Sequence, residues 1–384
     1  MSATRLHIAL VVDRFGSRFG GAEAYGVALM RELAPEHDIT VFAREFDPAC
    51  PLHLPFVRVP VSARWPSWVR SLLFAWRAAR ATRTGFDIVH SHKTGWCGDI
   101  EVVHVTPVRY RWRVQAISRI QRWLSYISPR VQTYLGLESR RLAPRPGHRT
   151  VAVSALIADQ LSQAYGSALP VTIIPPGVTL PDRSTPSRRH EIRERLGLTE
   201  DEYVCLLVAR NPMRKGLPTV IKALESLPQS VRVLVVGANA ASREHVAQAP
   251  QSLRDRVCLV NETSDVDGYY QAADAYIHPT LNDSFGMAPL EAMSYGLPVI
   301  LSPMPWCGFA QYVRDGDDAL LLSHPENAAE LARYIEQLRT DPSLRAKLVT
   351  QAQRLLDQHA WPQVARQYLA LYQAVLAERQ SITD

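Results

Sequence analysis

Two acidic residues flank a short glycine-containing segment in the second half of the chain. Asp283 and Glu291 lie eight positions apart, and Gly286 lies between them, just ahead of a predicted helix that ends at Gly296. An acid before a helix and another about two turns inside it can accept hydrogen bonds from separate sugar hydroxyls, and the free N–H groups between them can bind phosphate or sugar oxygens. The alternatives are an acid that only complements the helix N-terminus at 283 and a solvent-facing carboxylate at 291.

Two loops that follow predicted strands carry groups suited to a diphosphate. Arg210 and Lys215 bracket the turn after the strand predicted at 203–209, where two cations can bind a diphosphate. Gly20 and Gly21 lie between the first strand and the first helix, where the lack of a Cβ lets a phosphate approach the backbone. Their spacing is neither that of a GxGxxG motif nor that of a Walker loop. Solvated cations and a glycine pair that only turns the chain are the alternatives.

Residues 64–149 form a strongly basic segment. They hold sixteen Lys or Arg residues and four Asp or Glu residues, a net charge of +12, whereas the whole chain has a net charge of +6. Aromatic side chains are interleaved with cationic ones, as at Arg109, Arg111 and Arg113. This pattern predicts an anionic membrane surface or a phosphorylated glycan as partner. No nucleic-acid partner is expected, because no RNA-binding or helix-turn-helix signature accompanies it; ordinary helices with buried Trp and solvated Arg are the alternative.

Short apolar runs rich in β-branched residues alternate with helix-like stretches along the chain. Strands are predicted at 6–12, 38–43, 56–59, 87–90, 101–105, 150–153 and 171–174, and then at 203–209, 231–236, 257–260, 275–278, 298–301 and 319–322. Several runs are apolar at successive positions, as in parallel strands buried on both faces. This alternation of strands and helices occurs in both halves of the chain and predicts an α/β protein with two Rossmann-like, doubly wound domains.

Proline and glycine at 175–177 and a polar stretch at 181–189 mark the boundary between the two domains. We predict a first domain at 1–175, a second at 176–358, and a C-terminal helix within 359–384 that packs back on the first domain. Two such domains facing each other would place the carboxyl ends of both sheets around one cleft, where open α/β folds bind ligands.

Composition excludes several classes of protein. The 384 residues are 47% hydrophobic and 21% charged, which is typical of globular proteins and excludes a disordered chain. No apolar run approaches the roughly 18 to 20 residues of a membrane span, and the first residues lack a signal-peptide cleavage site. The five cysteines are scattered and never spaced as CxxC, which predicts reduced thiols in a cytoplasmic protein without a disulfide framework or a zinc site.

The segment 283–300 resembles the E-x7-E signature of retaining GT-B-fold glycosyltransferases of family 4. Further markers follow the order of that family along nearly the whole chain. These markers are Gly20-Gly21, Asp87-Ile88-Val89-His90-Ser91-His92, Val153-Ser154, Ile173-Ile174-Pro175-Pro176-Gly177-Val178, the Arg210 and Lys215 pair, and the segment 269–280. The Pro-Pro-Gly and Arg-Lys-Gly stretches and the segment 93–104 are similar to bacterial lipopolysaccharide-core glucosyltransferases in particular.

The resemblance implies that the second domain binds a nucleotide-sugar donor. Glu291 would bind the ribose hydroxyls, and the amides of Gly286, Met287 and Ala288 would face the sugar and the phosphates. The first Glu of the family signature contacts the donor sugar, and Asp283 occupies its place in this sequence. Asp keeps the charge but is one methylene shorter, so recognition of the donor sugar is the part of the pattern that this sequence alters.

The resemblance also implies how the bond to the leaving group is broken. Arg210 and Lys215 would neutralise the departing diphosphate, and Gly20-Gly21 of the first domain would close over it. His104 lies at the end of a predicted strand, where the family often has a His or Asp near the anomeric centre; a single His at a strand end is otherwise more often a packing residue. Retention would follow from front-face attack, with the leaving phosphate helping to deprotonate the acceptor.

The sequence thus predicts retaining transfer of a hexose from a nucleotide diphosphate sugar, above all a UDP-sugar, to an acceptor bound by the first domain. That acceptor would be a lipopolysaccharide-core, lipid-linked or other cell-envelope glycan. A nucleotide-sugar epimerase on the same fold and a non-catalytic nucleotide-sugar-binding protein are the alternatives.

No metal or other cofactor is expected. Asp265-Val266-Asp267 matches the metal-binding DxD of a different glycosyltransferase fold, but N-capping of a helix and its dipole explain the two acids. The predicted location is the cytoplasmic face of the inner membrane, to which the protein would bind peripherally.

Overall fold

The computed structural model describes residues 5–16, 19–92, 95–115, 118–182, 184 and 186–383, and for residues 382 and 383 only the backbone. The chain forms two compact units. The first unit comprises Met1–Gly177 together with Trp361–Asp384, and the second comprises Val178–Ala360.

The first unit is built on a parallel sheet of seven strands. The strands of this unit are β1 (His7–Val11), β2 (Arg14–Phe15), β3 (Asp38–Ala43), β4 (Glu45–Phe46), β5 (Phe56–Arg58), β6 (Ile88–Ser91), β7 (Ile100–Val103), β8 (Arg149–Ala152) and β9 (Val171–Ile173). The short strands β2 and β4 pair with each other and lie outside the main sheet. The order in the main sheet is β5-β3-β1-β6-β7-β8-β9, so the direction of winding reverses between β1 and β6. Ligands of open α/β sheets bind beyond the carboxyl ends of the strands at such a reversal.

The helices of the first unit connect these strands. They are α1 (Gly21–Leu33), α2 (Ser67–Ala81), a five-residue π-helix (Tyr110–Val114), α3 (Arg119–Ile127), α4 (Pro129–Leu142) and α5 (Ala155–Tyr165). The C-terminal helix Trp361–Thr383 also packs in this unit, against α1. The phenol oxygens of Tyr25 on α1 and Tyr368 on the C-terminal helix are 2.7 Å apart, and the Trp361 ring lies edge-on to Tyr25.

The second unit repeats the design with a six-stranded parallel sheet. Its strands are β10 (Tyr203–Val208), β11 (Val231–Val236), β12 (Val257–Val260), β13 (Ala275–His278), β14 (Val299–Leu301) and β15 (Leu320–Leu321). The order is β12-β11-β10-β13-β14-β15, with the reversal between β10 and β13. The helices are α6 (Arg189–Arg195), α7 (Leu217–Leu224), α8 (Ala240–Gln248), α9 (Gln251–Arg254), α10 (Asp267–Ala272), α11 (Met287–Ser294), α12 (Ala328–Thr340) and α13 (Pro342–Gln358), so that the C-terminal helix is α14.

The predicted fold class is confirmed: both units are Rossmann-like with parallel sheets. The central strands are buried on both faces, as their uninterrupted apolar sequences require, and β10 has five buried residues in succession. Every predicted strand is present, with ends within two residues of the expected ones. Within the part of the chain that the structure describes, no helix is both long and apolar enough to cross a membrane.

Candidate functional site

Three titratable side chains meet at the carboxyl edge of the second sheet. Lys215 Nζ forms an ion pair with Asp283 Oδ2 and donates a hydrogen bond to the carbonyl of Asn282 at 3.3 Å. His278 Nε2 lies 3.0 Å from the same carboxylate oxygen. Lys215 follows β10 and Asp283 follows β13, the two strands between which the winding reverses. The fold therefore brings together a cation and an acid that are distant in sequence, at the place where such sheets bind ligands.

Two glycines allow the loops that carry these groups to approach each other. Gly216 has φ +90° and begins α7; a Cβ there would lie 2.0 Å from the carbonyl oxygen of Pro279. Gly286 has φ +109° and is the N-cap residue of α11; a Cβ there would lie 2.9 Å from the Cys307 sulfur. Both backbone conformations are costly for residues with side chains. The sequence therefore needs glycine at both positions, one beside Lys215 and one between Asp283 and α11.

The surroundings of Asp283 and His278 shift their pKa values and thereby fix their protonation states. Burial would raise the pKa of the Asp283 carboxyl, but the Lys215 ammonium and the hydrogen bond from His278 offset it and keep that pKa well below its usual value. Burial lowers the pKa of His278, although its bond to Asp283 opposes this. Asp283 is therefore ionised at neutral pH, and a neutral His278 donates to it through Nε2–H. The Asp283 side chain still has 22% of its surface exposed, so a ligand can reach it.

The N-terminus of α11 lies directly after this cluster and has no side-chain cap. Met287 and Ala288 are its first residues, Pro289 is the third, and the N-cap residue Gly286 has no side chain that could accept a hydrogen bond. The N–H groups of a first helical turn have no partner within the helix, and the helix dipole adds a partial positive charge there. The end of α11 is thus equipped to bind anionic or hydroxyl oxygens.

Glu291 lies within α11 and is held by an aromatic neighbour. The Tyr270 hydroxyl donates to Glu291 Oε2 at 2.9 Å, and the Tyr270 ring stacks on Tyr295 with 5.0 Å between the ring centroids. Burial raises the pKa of Glu291 above its usual value, which the hydrogen bond from Tyr270 only partly opposes. One carboxylate oxygen is therefore occupied and fixed in position, while the side chain stays partly exposed.

Arg210 pairs with a different acid from the one that Lys215 contacts. Arg210 follows β10, but its guanidinium pairs with Glu262, beyond β12, at 2.6 Å. About half of the Arg210 side chain and 60% of the Glu262 side chain are exposed. Such exposed pairs contribute little to stability, about 0 to 1 kcal/mol, so an incoming anion can compete for the arginine.

The two acids of the DxD stretch have separate structural partners. Asp265 pairs with Arg188 at 2.8 Å, and Asp267 is the first residue of α10. Neither acid caps that helix, because the N-cap position is Val266 and no side chain bonds there. The predicted N-capping is therefore wrong, while the placement of Asp267 in the first turn fits the predicted dipole complementarity.

Gly20 and Gly21 lie at the start of α1, as the sequence predicts. Gly20 is the N-cap residue with φ +151°, no side chain caps the helix, and Glu23 lies in the first turn. An acid at this position lowers the attraction of the helix end for a phosphate. Arg14, whose guanidinium is 3.9 Å from Glu23, partly compensates that charge.

His104 is the first residue after β7, and two further histidines extend from it into the first unit. His104 Nε2 is 3.1 Å from His92 Nδ1, and His92 Nε2 is 2.9 Å from His90 Nε2. Sequence reasoning selected His104 for a role and used His90 and His92 only as family markers. The sequence feature that could have identified His90 and His92 is their His-x-His spacing at the end of β6. This strand neighbours β7, the strand that precedes His104. His278 was likewise not selected, although it ends the strand before Asp283.

The three arginines predicted to bind an acceptor or membrane have different surroundings. The Arg109 guanidinium lies over the Tyr165 ring, and Arg113 lies over the Tyr126 ring. Arg111 is exposed. All three lie on or beside the π-helix, and the rings that Arg109 and Arg113 contact belong to α5 and α3, respectively.

Helix α3 presents large apolar side chains to solvent. Ile120, Trp123, Leu124 and Ile127 follow the i, i+3, i+4, i+7 spacing of one helix face, and Ile120 and Trp123 are 70% and 61% exposed. Arg119 and Arg122 on the same helix are exposed as well. A contiguous apolar face bordered by cations is typical of a surface that binds a partner.

Two Rossmann-like units, each with a parallel sheet, and a cation, an acid and a helix N-terminus at the reversal point of the second sheet fit a glycosyltransferase of the GT-B type. Comparison with known proteins agrees with this class. The model of the family described as Glycosyltransferase Family 4 matches residues 19–181, and that of Glycosyl transferases group 1 matches residues 188–355. The chain belongs to this family of glycosyltransferases.

Individual relatives show how far the similarity extends. The D-inositol 3-phosphate glycosyltransferase of Xylanimonas cellulosilytica is 30% identical over 310 residues, covering 75% of this chain and 72% of the relative. The lipopolysaccharide glucosyltransferase WaaG of Escherichia coli is 24% identical over 357 residues, covering 88% of this chain and 91% of the relative.

Solved structures share the fold. The crystal structure of WaaG, a glycosyltransferase involved in lipopolysaccharide biosynthesis, has a TM-score of 0.77 at 23% identity, covering 94% of this chain and 98% of that one. Anabaena HepE, solved in complex with UDP and glucose, has a TM-score of 0.72 at 19% identity, covering 95% and 99%.

Proposed function

We propose that this glycosyltransferase transfers a hexose, with retention and without a metal ion, from a UDP-sugar to a lipopolysaccharide-core, lipid-linked or other cell-envelope glycan. Two similarities support the choice of substrates. WaaG is a lipopolysaccharide glucosyltransferase and is similar to nearly the whole chain. HepE, which has the same fold, was solved with UDP and glucose.

The observation that carries the proposal is the cluster of Lys215, Asp283 and His278 beside the uncapped end of α11. Cleavage of the anomeric C–O bond develops negative charge on the diphosphate and positive charge on the sugar. A fixed ammonium and helix amides stabilise the first charge, and the Asp283 carboxylate stabilises the second. The cluster supplies a fixed cation for the diphosphate, which is why we propose no metal ion in that place.

The proposal extends to the remaining donor contacts. We assign the ribose hydroxyls to the Glu291 oxygen that Tyr270 leaves open and the sugar hydroxyls to Asp283. Arg210 would exchange its exposed partner Glu262 for the diphosphate. In the first unit, we assign the start of α1 at Gly20 and Gly21 to the diphosphate and His104 to the anomeric centre.

Calorimetric binding of UDP-glucose and UDP to Lys215→Met tests the assignment of the cation. We expect both ligands to bind about tenfold more weakly or worse, because a charge-assisted hydrogen bond contributes about 1.5 to 3 kcal/mol. Arg214→Met is the matched control, since Arg214 is the exposed neighbouring cation and its substitution changes the net charge equally. Equal losses in both variants, or none in either, would contradict the role of Lys215.

We also propose that the first unit binds an anionic membrane surface peripherally, on the cytoplasmic face of the inner membrane. Helix α3 supports this choice: its apolar face is exposed, and Arg119 and Arg122 border it with positive charge. Aromatic and aliphatic side chains with flanking cations suit the headgroup region of an anionic bilayer. This binding would place the enzyme next to a lipid-linked acceptor.

A further inference from the structure

The partners of the Asp283 side chain contact only one of its two carboxylate oxygens. Lys215 Nζ and His278 Nε2 both bond to Oδ2, the histidine at 3.0 Å. Within the described part of the chain, no group donates to Oδ1. Oδ1 is also not one of the buried atoms that lack a partner there, so it is in contact with solvent. Asp283 thus has one oxygen fixed by the protein and one oxygen open to a ligand.

The backbone of Asp283 is held on both sides by the loop that follows β14. Its N–H donates to the carbonyl of Trp306 at 2.7 Å, and its carbonyl accepts from the N–H of Gly308 at 3.0 Å. The position of the Asp283 backbone is therefore set, and only the side-chain torsions remain to be restrained. The two bonds to Oδ2 supply that restraint and decide where Oδ1 points.

The two partners of Oδ2 differ in their access to a ligand. The Lys215 side chain is 14% exposed, and one of its three N–H groups is left after its bonds to Asp283 and to the Asn282 carbonyl. An anion can bind that group and then competes with Asp283 for the ammonium. The His278 side chain is 1% exposed, so a ligand cannot compete for it. The bond from His278 is therefore the one that still holds Asp283 when Lys215 binds an anion.

The surroundings of His278 determine which of its nitrogens carries the proton. Oδ2 of Asp283 faces the Lys215 ammonium and is an ionised acceptor, so the hydrogen bond comes from Nε2–H of His278. Burial lowers the pKa of His278, which leaves Nδ1 without a proton at neutral pH. This Nδ1 faces the Tyr276 hydroxyl at 3.4 Å, a group that can donate to it. A proton on Nδ1 instead would leave a bare Nε2 against a carboxylate.

We propose that His278 is a positioning residue for the donor hexose: its Nε2–H fixes Oδ2 of Asp283, so that Oδ1 is directed at a hydroxyl group of the sugar. His278 is buried and acts only through Asp283. The proposal rests on the proposed function, in which Asp283 binds the sugar hydroxyls. It deepens that function, because it separates recognition of the hexose, through His278, from recognition of the diphosphate, through Lys215.

The hydrogen bond from His278 can be measured without turnover and without added nucleotide. Long-range ¹⁵N–¹H spectra, with His278 assigned by comparison with His278→Gln, report which ring nitrogen carries the proton. We expect a protonated Nε2 and a bare Nδ1 at neutral pH. A protonated Nδ1 with a bare Nε2 would overturn the proposal, even in an enzyme that transfers hexose as proposed.

Calorimetric binding of UDP-glucose and UDP tests the positioning itself. His278→Met removes the N–H but keeps a side chain of similar length, so Asp283 loses the bond that no ligand can displace. We expect UDP-glucose to bind about tenfold more weakly, because hydrogen bonds to charged groups contribute affinity of this order. UDP has no hexose and should bind as it does to the wild type. His278→Gln, whose amide nitrogen is as many bonds from Cβ as Nε2 of histidine, should recover most of the affinity for UDP-glucose.

A purely structural role of His278 gives a different pattern in the same measurements. His278→Met would then weaken UDP and UDP-glucose equally, and His278→Gln would not rescue the loss; either result overturns the proposal. In an Asp283→Ala background, His278→Met should weaken UDP-glucose no further, and an equal further loss would show that His278 acts independently of Asp283. A protein that shows the expected binding pattern but transfers no hexose would contradict the proposed function and support the positioning role.

Discussion

Asp283 has a shorter side chain than the Glu that the resemblance to family 4 implies at this position. Lys215 and His278 hold its carboxylate, so this group is ionised and oriented. The role that we propose for Asp283 in binding the donor sugar depends on that orientation, because a carboxylate that must first be ordered loses part of its binding energy to entropy. The shorter Asp in place of the family Glu is accommodated by this network.

Asp283→Asn keeps the size of the side chain but removes its charge. We expect kcat/KM for a UDP-hexose to fall at least about tenfold, because the amide offers Lys215 a weaker partner and the sugar a weaker acceptor. Asp283→Glu keeps the charge and should retain more activity while changing the ratio of kcat/KM between UDP-glucose and UDP-galactose. Wild-type kinetics in the Asn variant would show that the carboxylate has no part in donor use.

The raised pKa of Glu291 makes donor binding dependent on pH. The proposed contact with the ribose hydroxyls needs the ionised carboxylate, and burial raises the pKa of this group, so donor affinity should fall as the pH decreases. Donor dissociation constants measured between pH 5 and 8 should show the decline. Glu291→Gln should bind the donor more weakly at pH 8 and with a flatter pH profile; a profile as steep as that of the wild type would assign the titration to another group.

The site residues that the sequence predicts share one property. Asp283 and Lys215 follow strands of the second sheet and His104 follows a strand of the first, and open α/β sheets bind ligands beyond the carboxyl ends of their strands. His278 and His92 were not assigned roles, because a histidine at the end of an apolar strand has the same sequence signal as a packing residue. Their partners are set by strand order and register, which a single sequence does not contain.

At the scale of elements, the approach of two loops depends on Gly216. In Gly216→Ala the new methyl group would lie 2.0 Å from the Pro279 carbonyl oxygen at φ +90°, so the loop that carries Lys215 must move. Gly197→Ala is the matched control, with φ +66° and open space around it. The control should lose about 1 to 2 kcal/mol of unfolding free energy for its backbone conformation alone.

Urea unfolding and donor binding separate the two effects. Gly216→Ala should lose clearly more unfolding free energy than Gly197→Ala, and it should also lose donor affinity, which the control should keep. Equal unfolding free energies with intact donor binding in both variants would mean that this contact does not position the site.

Helix α3 is the element on which membrane binding depends. Ile120→Ser with Trp123→Ser should reduce binding to vesicles that contain anionic phospholipid several-fold, because both side chains are largely exposed on one face. Leu180→Ser, an exposed apolar position in the second unit, is the control and should bind as the wild type does. Arg119→Gln with Arg122→Gln should weaken the binding and reduce its salt dependence.

Vesicle sedimentation at low and high salt provides the measurement. Wild-type protein that fails to sediment with anionic vesicles, or an α3 variant that sediments equally well, would contradict a membrane role for this helix.

The elements were predictable to different degrees. Long apolar runs such as those of β10 and β11 could be located closely, because strands buried on both faces leave an uninterrupted signal. The two-residue strands β2 and β4 are too short to leave such a signal in the sequence. The aromatic residues of α3 could equally have been core residues, since only the surrounding packing determines that this helix exposes them.

At the scale of the whole molecule, charge and chemistry separate between the two units. The basic segment 64–149 belongs to the first unit, while Lys215, Asp283 and Glu291 belong to the second. This division matches an enzyme that binds an anionic acceptor or membrane with one unit and a nucleotide sugar with the other. An epimerase or a nucleotide-sugar sensor would have no use for the acceptor surface.

Donor turnover with and without acceptor, in the presence of EDTA, therefore tests the proposed function most directly. Purified protein is incubated with UDP-glucose, and UDP release and glycosylated product are followed with lipopolysaccharide-core or lipid-linked acceptors and without them. We expect UDP release that depends on the acceptor, continues in EDTA and gives a product with the anomeric configuration of the donor. Conversion of the UDP-sugar without any acceptor, or binding without turnover across the acceptors, would contradict metal-independent glycosyl transfer by this protein.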